Sequence, residues 1–148
     1  MLASASCDKT VKLWDIQTSK EKKTLNGHTK GVNQVSFALN PGSTNSPSKM
    51  LASASSDNTV KLWDTDRGKL IRTFNGHTNM VLGVSLSSSG KMLASASRDK
   101  MVKLWDTDSG KLIKTLNDHT KVVFGVSFSP DGKILASASN DNTVKLWD

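Results

Sequence analysis

The chain has 148 residues, about one domain by length, with a net charge of +7 and 36% hydrophobic residues, enough for a modest core. No apolar run reaches the roughly 18–20 residues of a membrane helix, and no basic-then-apolar leader opens the chain. A lone cysteine, Cys7, excludes an internal disulfide framework. These features are expected of a cytoplasmic protein without membrane contact.

In chain order, Leu2 to Asp15 reads as two short strands joined by a tight turn at Cys7-Asp8-Lys9. The same fourteen-residue unit returns at Leu51 to Asp64, Leu93 to Asp106 and Leu135 to Asp148, with eleven positions identical in all four copies. Three positions vary: the residue before the turn Asp (Cys7, Ser56, Arg98, Asn140), the one after it (Lys9, Asn58, Lys100, Asn142) and the next (Thr10, Thr59, Met101, Thr143). An internal period of this kind determines architecture before any local propensity does. The four Trp recur at 14, 63, 105 and 147, at intervals of 49, 42 and 42 residues. The seven extra residues fall between Phe37 and Met50, where Pro, Gly, Ser and Asn mark positions 38–49 as a solvent loop that costs little stability.

Within one period four short strands are expected. Val81 to Leu86 (and Val122 to Phe128) is the first, Met92 to Ser97 the second, Met101 to Trp105 the third and Lys111 to Leu116 the fourth. Asp, Asn and Gly at the connections suit short hairpin turns. No stretch carries an apolar stripe at helical spacing, so the chain reads as all-β. The second strand, Leu-Ala-Ser-Ala-Ser, is small for a strand. It makes sense where other sheets press closely on both faces, as in stacked propeller blades.

Gly27-His28 followed by Ser53, Asp57 and Trp63-Asp64 resembles a WD repeat of the β-propeller class. So do Gly76-His77 to Trp105-Asp106 and His119 to Trp147-Asp148; the first copy, Ser4, Asp8, Trp14 and Asp15, matches without an upstream Gly-His. The resemblance implies radial four-stranded blades, here at about 1–26, 27–75, 76–117 and 118–148. It also implies a structural tetrad per blade: His28, Ser53, Asp57 and Trp63; His77, Ser95, Asp99 and Trp105; His119, Ser137, Asp141 and Trp147. Ser55, Ser97 and Ser139 share a strand face with those serines and are the alternative members. The chemistry supports such a set independently, because a buried carboxylate needs donors and a buried indole N–H needs an acceptor.

Ser, His and Asp also make a nucleophilic triad. Here the trio occurs three times, each with a Trp, and no Gly-x-Ser-x-Gly elbow is present, so no catalytic residue and no enzyme activity are expected. The three His are spread one per repeat, without metal-ligand spacing, and no cofactor motif occurs. The basic residues are dispersed by the repeat (Lys12, Lys61, Lys103 and Lys145 hold one strand position) and there is no Tyr for base stacking. Nucleic acid is therefore not an expected partner.

A protein or peptide partner is expected instead. In the family, the residue before the turn Asp faces the narrow end, where ligands dock; here those are Cys7, Ser56, Arg98 and Asn140. Residues after His-Thr approach the same surface: Lys30, Asn33, Met80, Leu82, Lys121 and Phe124. Met80, Leu82 and Phe124 either form an apolar patch there or cap the blade core. The first blade lacks its innermost strand and the last its outermost, and Met1 stands where Met50 and Met92 do. On this reading the chain is a fragment of a larger WD-repeat scaffold. The alternatives are a regulatory or sensor region of a signalling enzyme, and a partial propeller that self-associates through its incomplete blades into a ring.

Overall fold

The computed structural model describes residues 1–39 and 49–148; positions 40–48 of the stretch read as a loop insertion lie outside the described residues. Among these there are fourteen strands and no helix. They are β1 (Leu2–Ala5), β2 (Val11–Trp14), β3 (Glu21–Leu25), β4 (Val32–Leu39), β5 (Lys49–Ser55), β6 (Val60–Asp64) and β7 (Lys69–Phe74). The second half contains β8 (Val81–Leu86), β9 (Met92–Ser97), β10 (Val102–Asp106), β11 (Leu112–Leu116), β12 (Val123–Phe128), β13 (Leu135–Ser139) and β14 (Val144–Trp147). They form four antiparallel sheets, β1-β2-β3, β4-β5-β6-β7, β8-β9-β10-β11 and β12-β13-β14, each with sequence neighbours side by side. The fold is all-β, built of propeller blades.

Strand alternation gives every blade two different faces. In β5 and β6, with Leu51 opposite Trp63 and Ala52 opposite Leu62, one face carries Leu51, Ser53 and Trp63 and the other Ala52, Ala54, Val60 and Leu62. We call these the trailing and leading faces. The leading face of each blade packs on the trailing face of the next, and the three resulting clusters are the core. Val11, Leu13 and Leu25 meet Leu51 and Trp63. Ala52, Ala54, Val60, Leu62 and Phe74 meet Val84, Leu86, Leu93 and Trp105. Ala94, Ala96 and Val102 meet Val123, Val126 and Leu135. The small residues of the second strand are thereby explained: Ala52, Ala54, Ala94 and Ala96 are fully buried because a neighbouring blade lies against them.

Polar ties hold the blades in register at both radii. Along the inner strands, Val84 N–H donates to Gln34 Oε1 (2.7 Å), Leu86 N–H to Ser36 Oγ (3.2 Å) and Phe128 N–H to Ser85 Oγ (3.2 Å). At the outer rim, Arg72 Nη2 donates to the Asp108 carbonyl (2.7 Å), and Lys23, one blade earlier, donates to the Asp66 carbonyl. Each of these basic side chains reaches from an outer strand to a turn of the next blade.

Candidate functional site

The turn between the second and third strands of each blade is built the same way four times. Its third residue, Lys9, Asn58, Lys100 or Asn142, takes a positive φ of 67–76°. Asn adopts that region readily, whereas Lys pays a steric penalty there. The turn Asp compensates by binding the backbone ahead of it: Asp8, Asp57, Asp99 and Asp141 accept the N–H two residues on at 2.9–3.0 Å. Thr10, Thr59 and Thr143 add a hydroxyl bond to the same carboxylate; Met101 has none to add.

The other carboxylate oxygen reaches the His. His28 Nδ1 lies 2.8 Å from Asp57 Oδ2, and His77 and His119 lie 2.7 Å from Asp99 and Asp141. The ionised carboxylate can only accept, so Nδ1 carries the proton and Nε2 is left to accept. Nε2 takes the hydroxyl proton of Ser53, Ser95 or Ser137 at 2.7–2.8 Å. Each Ser Oγ in turn accepts the indole N–H of Trp63, Trp105 or Trp147 at 2.9 Å. The result is a one-way relay from Trp through Ser and His to Asp, with every proton used. The neighbouring serines tie the turn to the loop instead. Ser55, Ser97 and Ser139 donate to the loop carbonyls of Gly31, Asn79 and Val122 and accept the N–H of the turn Asp. In the first blade, Trp14 N–H reaches Ser4 Oγ (2.9 Å) and Asp8 holds its turn, with no His between them.

The environment sets the charges. Burial alone would raise the Asp57 carboxyl, but the Thr59 hydroxyl, the Thr29 N–H and His28 outweigh it and hold the group at about 2. Asp99 is likewise held below the usual range, with His77 overcoming the effect of burial. For Asp141 the Thr143 hydroxyl is the largest cause of the lowering. Burial pushes the His28 imidazole below its usual value despite the Asp57 carboxylate beside it. A neutral His and an ionised Asp are what the relay requires.

As chemistry, the relay is closed. Ser53, Ser95 and Ser137 are fully buried and bonded on both sides, so no substrate carbonyl can reach them. Among the described residues, no three His, Cys, Asp or Glu side chains converge where they could hold a metal ion.

The surface beside these turns is organised by the backbone. Ser56, Arg98 and Asn140 donate their N–H groups to the carbonyls of Gly31, Met80 and Val122, each at 2.9 Å. In each of these three blades the variable turn residue is thus clamped beside the segment that follows His-Thr. A register shift in each inner strand, between Val32 and Gln34, Val81 and Gly83, and Val123 and Gly125, makes Asn33, Leu82 and Phe124 the extra residue of a β-bulge.

The comparisons with known proteins fit this geometry. The family described as WD domain, G-beta repeat matches residues 1–15, 19–64, 68–106 and 110–148, nearly the whole chain in four segments. The chain belongs to the WD-repeat family. A Lissencephaly-1 homolog from Caenorhabditis briggsae is similar at 46% identity over 37 residues, 25% of this chain. The match spans only 10% of that protein's length. WD-repeat proteins generally act as non-catalytic scaffolds for protein–protein interaction.

The WD repeats sort the expected site residues into two groups. His28, Ser53, Asp57 and Trp63 come together, as do the corresponding sets of the next two repeats; Ser4 and Trp14 meet, with Asp8 apart from them in its turn. At the rim, Cys7, Lys30, Arg98, Lys121 and Asn140 are exposed, whereas Ser56, Met80 and Leu82 are half-buried. Phe124 is 54% exposed. Asn33 is exposed yet already engaged, bonded to the Val81 carbonyl (2.7 Å) and to Ser56 Oγ (3.1 Å). Arg98 reaches back to Met80, its Nη1 lying 3.9 Å from Sδ. The hydroxyl of the turn Thr and the carboxamide of Gln34 were not singled out from the sequence. The recurring Asp-x-Thr spacing was a signal for the first. Nothing local marks Gln34, whose partner lies 50 residues away.

Proposed function

We propose that this chain is a non-catalytic scaffold that binds a protein or peptide partner on the rim where the variable turn residues meet the segments after His-Thr. The observation that carries this reading is the trio of 2.9 Å backbone clamps at Ser56, Arg98 and Asn140. They hold side chains that differ between repeats in one row on an otherwise repeated frame, which is how a scaffold presents a distinctive surface. The tetrads are the frame, and their buried, doubly bonded serines support a structural role. The units 1–26, 27–75, 76–117 and 118–148 are taken as the repeats. The unpaired, exposed Cys7 suits a reducing cytoplasmic setting.

The rim also indicates the partner's chemistry. Lys30, Arg98 and Lys121 are basic and Phe124 offers an open aromatic face, so the fitting ligand is an acidic segment carrying an apolar side chain. Binding of the chain to an array of such peptides tests this. Arg98→Glu combined with Phe124→Ala is expected to weaken binding at least about tenfold, the equivalent of about 1.4 kcal/mol, without changing the unfolding midpoint. Unchanged binding to every retained peptide would remove the rim from consideration.

A further inference from the structure

The leading face of the fourth blade carries no neighbour among the described residues. Val144 and Leu146 are 67% and 69% exposed, whereas Val11, Val60, Val102, Leu13 and Leu62 are at most 1% exposed and Leu104, the third-blade counterpart of Leu146, is half-buried. The inner strand is open in the same way. A Cβ on Gly83 would stand 2.8 Å from the Phe124 carbonyl oxygen, but one on Gly125, a blade further on, meets nothing within 4 Å. At the opposite side of the molecule the trailing face of the first blade is bare too. Leu2 is 56% exposed, against at most 3% for its counterparts Leu51, Leu93 and Leu135.

These two surfaces are the two halves of a contact that the molecule already builds three times. On one stand alanines, Val144 and Leu146; on the other Leu2 and Trp14. The residue types are the same as in the interior clusters, where Ala, Val and Leu of one blade meet Leu and Trp of the next. An occupant of the fourth blade's face must therefore present a Leu and a Trp at the spacing of a β1–β2 pair, and a second copy of this chain does so with a surface that is itself uncovered. We infer that the chain associates with itself head to tail, β13 and β14 of one copy lying on β1 and β2 of the next. The contact is heterologous, joining two different patches. It is smaller than an interior one, since the first and fourth sheets have three strands each among the described residues, against four in the second and third.

Sedimentation equilibrium of the 148-residue chain tests the inference, with the partner-binding rim untouched and its peptide binding read separately. The expected mass rises with concentration from 16.0 kDa to multiples of it. Val144→Asp with Leu146→Asp is expected to hold the chain at the single mass, and so is Leu2→Asp alone. These side chains are exposed in the single copy, so unchanged tryptophan emission and unfolding midpoint are expected for each variant. Mixing the two variants is expected to restore pairs, because each retains the half that the other has lost. Three results would overturn the inference: a wild-type chain that stays at the single mass throughout, assembly that survives Leu2→Asp, which is the mark of two fourth blades meeting face to face, or association only with a different protein.

Discussion

Ser95 and Ser4 hold the same place in the repeat but not the same place in a network. Ser95 Oγ accepts from Trp105 and donates to His77 in a site closed to water. Ser95→Ala leaves an indole N–H and an imidazole nitrogen buried without partners, and each such group costs about 1–3 kcal/mol. Among the described residues the Ser4 hydroxyl bonds only Trp14, in a half-buried setting where water can replace it, so Ser4→Ala is expected to cost less than about 1 kcal/mol. Urea unfolding followed by tryptophan fluorescence separates the two; equal losses would show that the His link adds nothing. The tetrad members were legible in the sequence because they recur at fixed offsets from each Trp. The choice of Ser53 over Ser55 as the partner of the His rested on the family resemblance alone, since the two share a strand face. The difference lies in depth along the strand: the deeper one meets the indole and the shallower one meets the turn.

The inner strands show how a neighbour decides what a residue can be. Gly83 and Gly125 are equivalent in sequence and in strand register, each opposite an Ala of the second strand. Only Gly83 has another blade's backbone pressed on it. Gly83→Ala must push the inner strand of the fourth blade away and is expected to cost about 1–3 kcal/mol. Gly125→Ala falls in open space and is expected to stay within about 0.5 kcal/mol of the parent chain. Thermal unfolding of the two variants compares them directly, and a similar loss at both positions would contradict the stacking of the third and fourth blades. The bulges that set off Asn33, Leu82 and Phe124 were beyond the sequence reading. Hydrophobic alternation locates a strand, but it does not reveal one residue inserted against a partner a dozen or more positions away.

For the molecule as a whole, the relays make stability a function of pH. His28 ionises in the folded protein below its ordinary 6.5, and Asp57 at about 2 against an ordinary 3.8. Both groups bind protons more readily unfolded than folded. The stability they contribute is complete above their ordinary values and is lost as pH falls, first below 6.5 for His28 and then from 3.8 toward 2 for Asp57, with Asp99 and Asp141 adding in the acidic range. The urea midpoint is expected to be level above neutral and to decline in two stages on acidification. A midpoint that holds from pH 7 to pH 3 would mean that the relays do not support the fold.

Much of this architecture is local information repeated. The four Trp, the turn Asp and the Ala-Ser alternation specify strands, turns and relays through contacts inside one repeat, and the period announces that repeats stack. The positions of Gln34, Arg72 and Asn33 became meaningful only with the blades in place, because each reaches a partner in a neighbouring repeat and no offset in the chain records such a meeting. The same holds for exposure. Val60 and Val144 are identical in type and in local sequence, yet one is buried and the other open to solvent. That contrast comes from the stacking of blades, since burial belongs to a pair of faces and not to either strand alone.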